Sequence, residues 1–429
     1  MLGGVMARAR PPPWPTNRPA KAGPSFRDCR VAQSAESSPP LKSPMKITSV
    51  RATPVSVPTT MACAWSLGVG FGVTRTVLEL GTDEGPVGLG ECGTSSVAAL
   101  LGGKLGLQLI GLPVSDLAAA ARICGYDSRH HGSISDPSLP KAYAAIEMAM
   151  LDLQGKAAGL PVFRLLGGAV RPKAEFGAYR YACHRETSGL AEKDVPAASA
   201  AAAAQAVAAT GAGIYEFKIG RYSVDTDIES IRAVRAALGP DRVLGVDANQ
   251  ALTIDETRRL LRGLVGVRLD WFEEPVASLK EMTRLHGEFP HVALSGHCTD
   301  PEKMEFYPAI EGVVGDLHIQ GGLRGLARSA AIFHALGHQF WQRSCLELGI
   351  SWAAMVHVGM ACPEISRGSQ SLIDHMEDDL ILGPPWLLSQ GGVAAPEKPG
   401  LGVELDRAAL DRYAETFRRQ GEMTFFDQE

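Results

Sequence analysis

The chain has 429 residues, is 45% hydrophobic and carries a formal net charge of −5, with acidic and basic residues mixed along its length. That is enough apolar material to bury a large core in two domains, with neither the concentrated positive charge that nucleic acid demands nor a clean apolar run of bilayer length. Its eight cysteines are scattered without a Cys-x-x-Cys pair and read as unbridged thiols of a cytoplasmic protein rather than as a disulfide framework.

In chain order, residues 1–44 hold Arg8, Arg10, Pro11, Pro12, Pro13, Pro15 and the run Ser37-Ser38-Pro39-Pro40, with no apolar periodicity. They are expected to be a disordered tail or a start assigned too early. Residues 45–51 alternate as a strand. Residues 175–184 read as a further strand, and the alanine run 197–209 favours helix. Residues 213–220 form a short apolar strand carrying Glu216 and Lys218, followed by an amphipathic helix over 225–238. Residues 243–250 repeat the strand with Asp247 and Asn249, residues 254–264 repeat the helix, and 267–275 end in Glu273 and Glu274. Strand and helix alternating over short links predict parallel βαβ units with right-handed crossovers. A barrel so built keeps its chemistry at the C-terminal ends of its strands. One charged side chain at a strand end is ordinarily a solvated terminus; Lys218, Asp247 and Glu273 on three successive ends predict a shared site.

Lys218 precedes Asp247 by 29 residues and Asp247 precedes Glu273 by 26, with Val246-Asp247-Ala248-Asn249-Gln250 and Trp271-Phe272-Glu273-Glu274-Pro275 in that order. In this the chain resembles the mandelate racemase/muconate lactonizing enzyme branch of the enolase superfamily. Outside the barrel, Ala144 to Lys156 with Leu165-Leu166-Gly167-Gly168 looks like the closing helix of that family's cap, and Thr74 to Leu80, Asp83-Glu84-Gly85 and Gly88 to Glu91 look like its opening hairpin. Pro396 to Leu405 is similar to the ending of acid-sugar dehydratases of the glucarate type. The resemblance implies an α/β fold: an α+β capping domain over 45–168, a modified (β/α)8 TIM barrel over 169–388, and a segment 389–429 returning to the cap. It also implies a homo-oligomer and a specificity loop at Trp65-Ser66-Leu67-Gly68.

The chemistry can be argued from the residues themselves. A proton α to a carboxylate is too weakly acidic for a side-chain base alone, so the charge that develops needs a divalent cation. Hard oxygen ligands suit Mg2+, with Asp247 and Glu273 as the first two. The third is expected from residues 291–300, where the resemblance points to His297; an imidazole there shifts the preference toward Mn2+. The alternative is a His297 that only hydrogen-bonds substrate or a neighbouring carboxylate, with Ser295 as a weaker substitute ligand. By resemblance Lys218 is the general base, and Glu216 replaces the first lysine of the family's Lys-x-Lys. Asp316 stands where the family has the aspartate of an Asp–His dyad, and Arg343, 27 residues on, stands where it has the histidine. Arginine stays protonated, so Arg343 is read as pairing with Asp316 and holding an anionic group of the substrate. Asn249, Glu216, Arg180 and Trp65 are candidate substrate contacts, and Tyr179, Tyr181 and His184 are candidate acids. Cys298 and Cys345 read as packing.

With Lys218 as the one evident base, dehydration is favoured over racemisation: Lys218 takes the α proton and then, as ammonium, assists departure of a β hydroxyl. The expected function is metal-dependent dehydration of a hydroxylated sugar acid, a small carboxylate, to a 2-keto-3-deoxy acid. The alternatives are a racemase, epimerase or cycloisomerase of the same superfamily, and a non-catalytic carboxylate-binding relative.

Overall fold

The computed structural model describes residues 44–126, 138–181, 191–383 and 386–423. The tail expected over 1–44 falls, but for Pro44, outside the described residues, as do Cys183 and His184. Strands β1 (Ile47–Trp65), β2 (Gly68–Thr82) and β3 (Val87–Gly93) form an antiparallel sheet in chain order. Its β1–β2 turn is the Trp65 to Gly68 segment.

Across this sheet lies the helix Ser138–Ala158, longer than the expected 144–156 because buried side chains continue around it. A helix apolar on nearly every side must be covered on more than one, here by the sheet and by the barrel. Small residues in β3 let the helix approach: a Cβ on Gly90 would lie 2.0 Å from the backbone oxygen of Ala145. Gly90→Ala is expected to lower stability by about 1–3 kcal/mol, because backbone rather than a flexible side chain would have to yield; urea unfolding measures it.

From the same helix, Glu147 reaches the barrel and accepts the backbone N–H groups of Leu323 and Arg324 at 2.8 and 3.0 Å, capping the helix Leu323–Ala335. Burial pushes its carboxyl up to about 7, against the pull of those two N–H groups. With the unfolded value near 4.5, the folded state binds more protons between the two values. This contribution is therefore fully present below about 4.5 and is lost as pH rises through about 7. Glu147→Gln is expected to remove that part of the slope, seen by comparing urea midpoints at pH 5 and pH 7.

Eight parallel strands follow: β4 (Ala174–Arg180), β5 (Ile214–Lys218), β6 (Val243–Asp247), β7 (Trp271–Glu273), β8 (Ala293–Gly296), β9 (Gly312–Gly315), β10 (Gln339–Gln342) and β11 (Ser369–Ser371). They neighbour one another in chain order, with β11 beside β4. The ring is completed where Ser366 N–H donates to the Phe340 carbonyl at 3.0 Å. A short β12 (Gly392–Val393) pairs antiparallel with β4. The helices between the strands start where the sequence supplies caps: Ser223 and Ser278 accept from the backbone of their first turns, and Thr253 forms a capping box with Glu256.

The strands stop earlier than their sequence patterns. β5, β6 and β7 end at Lys218, Asp247 and Glu273, and the residues just past β6 and β7 leave the ladder with positive φ: Asn249 at 45°, Gln250 at 66° and Glu274 at 39°. β11, three polar residues long, carries no apolar signature and was absent from the expected elements. The helix Arg407–Gln420 packs on β1, and the chain beyond it joins the hairpin, Met423 exchanging hydrogen bonds with Thr74. The six described cysteines are unbridged, and no described helix is long and apolar enough to cross a membrane.

Candidate active site

A cavity of about 670 Å³ lies where the C-terminal ends of the barrel strands meet the hairpin. Strand register sets its floor: Lys218 is level with Asp247, and Asp247 with Glu273. Because side chains alternate along a strand, the apolar neighbours Phe217, Val246 and Phe272 are turned to the opposite face and buried. Lys218 Nζ donates to Asp247 Oδ2 at 2.6 Å and to Asn249 Oδ1. Its ammonium lies 4.9 Å from the Trp65 ring centroid and 5.3 Å from that of Tyr179. Tyr179 in turn donates its hydroxyl to Asp247 Oδ2 at 2.7 Å.

His297 sits between two carboxylates, Nε2 at 2.8 Å from Glu273 Oε1 and Nδ1 at 3.1 Å from Glu274 Oε2. Burial alone would lower the imidazole, but Glu274 and Glu273 outweigh it and hold it at about 10. Glu274, which burial would raise, is held at about 2 by His297. Glu273 is raised by burial and by Asp247. Glu216 lies one row deeper, level with Gly245, and does not line the cavity. It accepts from Trp271 Nε1 and Gln370 Nε2, each at 3.2 Å. Burial, then Glu273 and Asp247, push it well above the usual carboxylate range.

On the far wall Arg343 Nε donates to Asp316 Oδ2 at 2.8 Å, and the backbone N–H groups of His318 and Ile319 donate to Oδ1. Burial would raise Asp316, but Arg343, the His318 side chain and the Ile319 N–H hold it well below its ordinary value. Arg180, expected at a substrate carboxylate, instead pairs with Asp374 at 2.5 Å and is not among the lining residues. Tyr181 and Cys345 line the cavity; burial pushes the Cys345 thiol up to about 12, which keeps it protonated and suits packing.

Whether these residues suit a divalent cation can be tested on their oxygens. Asp247 and Glu273 are fully buried on adjacent strands, and the neighbouring Ser295 Oγ has no hydrogen-bond partner. Two buried carboxylates beside an unpartnered buried hydroxyl fit a hard cation. Among the described residues no three ligating side chains converge on one point: Asp247 is turned onto Lys218 and Glu273 onto His297. His297 engages a carboxylate through each ring nitrogen, so its Nε2 could ligate only after releasing its proton.

Sequence reasoning left Glu274, Gln370, His318, Arg75, Thr94, Lys141 and Met423 without a role, although all line the cavity. Glu274 was visible in the Glu-Glu-Pro run. His318 lies just past β9, two residues after Asp316, and the rest come from the cap, the polar last strand and the C-terminal segment, where no local pattern marks them.

Two family models match the chain: residues 47–167 match the mandelate racemase/muconate lactonizing enzyme N-terminal domain, and residues 198–409 the enolase C-terminal domain-like model. The chain belongs to the enolase superfamily, in its mandelate racemase/muconate lactonizing enzyme family. It is 30% identical over 362 residues to a Streptomyces coelicolor protein named "Probable glucarate dehydratase", covering 78% of this chain and 83% of that one. It is also 26% identical to muconate cycloisomerase 1-1 of Acinetobacter lwoffii, covering 84% of this chain and 94% of that one. A Pseudomonas fluorescens enolase crystallised with magnesium, potassium and tartrate superposes with a TM-score of 0.79 at 27% identity, covering 88% of this chain and 94% of that one.

Proposed function

We propose that this enzyme is a magnesium-dependent hydro-lyase that converts a hydroxylated sugar acid to its 2-keto-3-deoxy acid. The observation that carries the reading is the asymmetry of the site. One amine, Lys218, lies on the row of Asp247 and Glu273, while the opposite wall holds an arginine locked to Asp316. The dehydratase name of the Streptomyces relative and the magnesium and tartrate of the Pseudomonas structure support it. Unbridged thiols support a cytoplasmic setting.

Lys218 Nζ takes the α proton, breaking the C–H bond, with Asn249 and Asp247 placed to accept from the resulting ammonium. The β C–O bond then breaks, the departing hydroxyl takes a proton from Lys218 and leaves as water, and the enol tautomerises to the ketone. Asp247 and Glu273 would hold the cation, with deprotonated His297 as third ligand. When bound, the cation supplies positive charge beside the substrate carboxylate as negative charge develops there. Arg343 offers its remaining N–H groups to an anionic or hydroxyl group.

A racemase needs a second base on the opposite face. Among the described residues His318 is the one lining histidine there, and its Nε2 lies 2.9 Å from Ser351 Oγ while its Nδ1 lies 3.5 Å from Asp316. Both nitrogens are thus directed at protein groups, which supports elimination. Proton NMR of aldonic and aldaric acids incubated with enzyme and Mg2+ tests the reading: a new deoxy-methylene signal is expected from one acid, whereas inversion at C2 without that signal would move the assignment to an epimerase.

A further inference from the structure

Among the described residues, six basic side chains line the cavity: Arg75, Lys141, Lys218, His297, His318 and Arg343. Five of them face carboxylates, Arg75 Glu91, Lys218 Asp247, His297 Glu273 and Glu274, and both His318 and Arg343 Asp316. Lys141 alone has no ion pair or hydrogen bond with the described residues, although it is only half-exposed. Glu422 shares the cavity lining with it but directs a carboxylate oxygen to the Ser95 N–H at 2.7 Å and makes no ion pair with it.

The position of Lys141 has no structural rationale of its own. It lies in the first turn of the helix Ser138–Ala158, where the helix dipole favours acids over bases. Also lining the cavity is Thr94, held at φ 75°, a conformation that a β-branched residue adopts at a cost and that gathers at ligand sites. We infer that Lys141 receives an anionic group at the end of the substrate remote from Lys218, so that the enzyme selects a diacid over the monoacid of the same configuration. This rests on the carbon-acid reading of the Lys218 end, and it makes Lys141 a specificity residue contributed by the cap.

The test is calorimetric binding in the presence of Mg2+, with Lys218→Met as the parent so that turnover is slow on the timescale of the titration. The probes are matched pairs, glucarate with gluconate and galactarate with galactonate. The parent should prefer the aldarate of at least one pair. Adding Lys141→Met should weaken that aldarate by about tenfold to a hundredfold, as expected for a lost hydrogen bond to a charged group, and leave the aldonate unchanged. Adding Lys141→Arg instead should retain the preference, with melting curves confirming that each variant is folded. Equal weakening of both acids, a parent that prefers the aldonates, or a parent that binds no aldarate would overturn the assignment. Failure of the hydro-lyase reading is seen separately: an aldarate that binds through Lys141 but shows no Lys218-dependent loss of its α proton leaves this inference standing and removes that one.

Discussion

Replacing Lys218 by Met is expected to lower turnover by about 10²- to 10⁴-fold, the range typical of losing a positioned general base. The apolar stem of the side chain should stay where it is, between the rings of Trp65 and Tyr179, so the cavity keeps its shape. Asp247 loses its ammonium partner but keeps the Tyr179 hydroxyl at 2.7 Å and the Asn249 N–H at 2.8 Å. Substrate affinity should therefore change far less than turnover, and steady-state kinetics separates the two. A variant retaining activity within tenfold would remove Lys218 from the role of base.

Arg75→Met is expected to cost about 3–5 kcal/mol of stability, since it strands a buried carboxylate. Arg75 and Glu91 are both almost completely inaccessible, 2% and 0%, and their Nε–Oε1 separation is 2.8 Å. Glu91 also accepts the backbone N–H groups of Leu348 and Ser351, at 3.0 and 2.9 Å, at the start of the helix that follows β10. The pair thus joins the cap hairpin to the barrel beside the cavity. Its loss should also raise KM, because Arg75 Nη2 lies 3.2 Å from His318 Nε2, next to Asp316. Urea unfolding measures the stability term, and the double variant Arg75→Met/Glu91→Met should recover part of it, because no unpaired charge then remains buried.

The barrel was legible in the sequence because its middle units alternate cleanly: residues 225–238 and 254–264 have helical period, and they became Val224–Leu238 and Ile254–Gly263. The row of Lys218, Asp247 and Glu273 was legible for the same reason, one polar residue at each strand end. β11 was not, because Ser369-Gln370-Ser371 owes its place to neighbours on both sides rather than to its own apolar pattern. Pairing choices were also hidden. Arg180 faces Asp374 rather than the cavity, and His297 is gripped by Glu273 and Glu274, because long-range packing decides which of several charged neighbours a side chain meets. Lys141 belongs to a cap helix whose pattern announces burial, and only the folded structure brings it to the barrel mouth.

The central claim, that Lys218 removes a proton α to a carboxylate, is tested most directly by following α-proton exchange in D2O. The accepted acid would be incubated with Mg2+ and either the unaltered enzyme or Lys218→Met, and its C2 proton signal monitored. Loss of that signal with the unaltered enzyme and its persistence with Lys218→Met is the predicted result. Equal loss with both proteins would assign the proton to another base and contradict the claim.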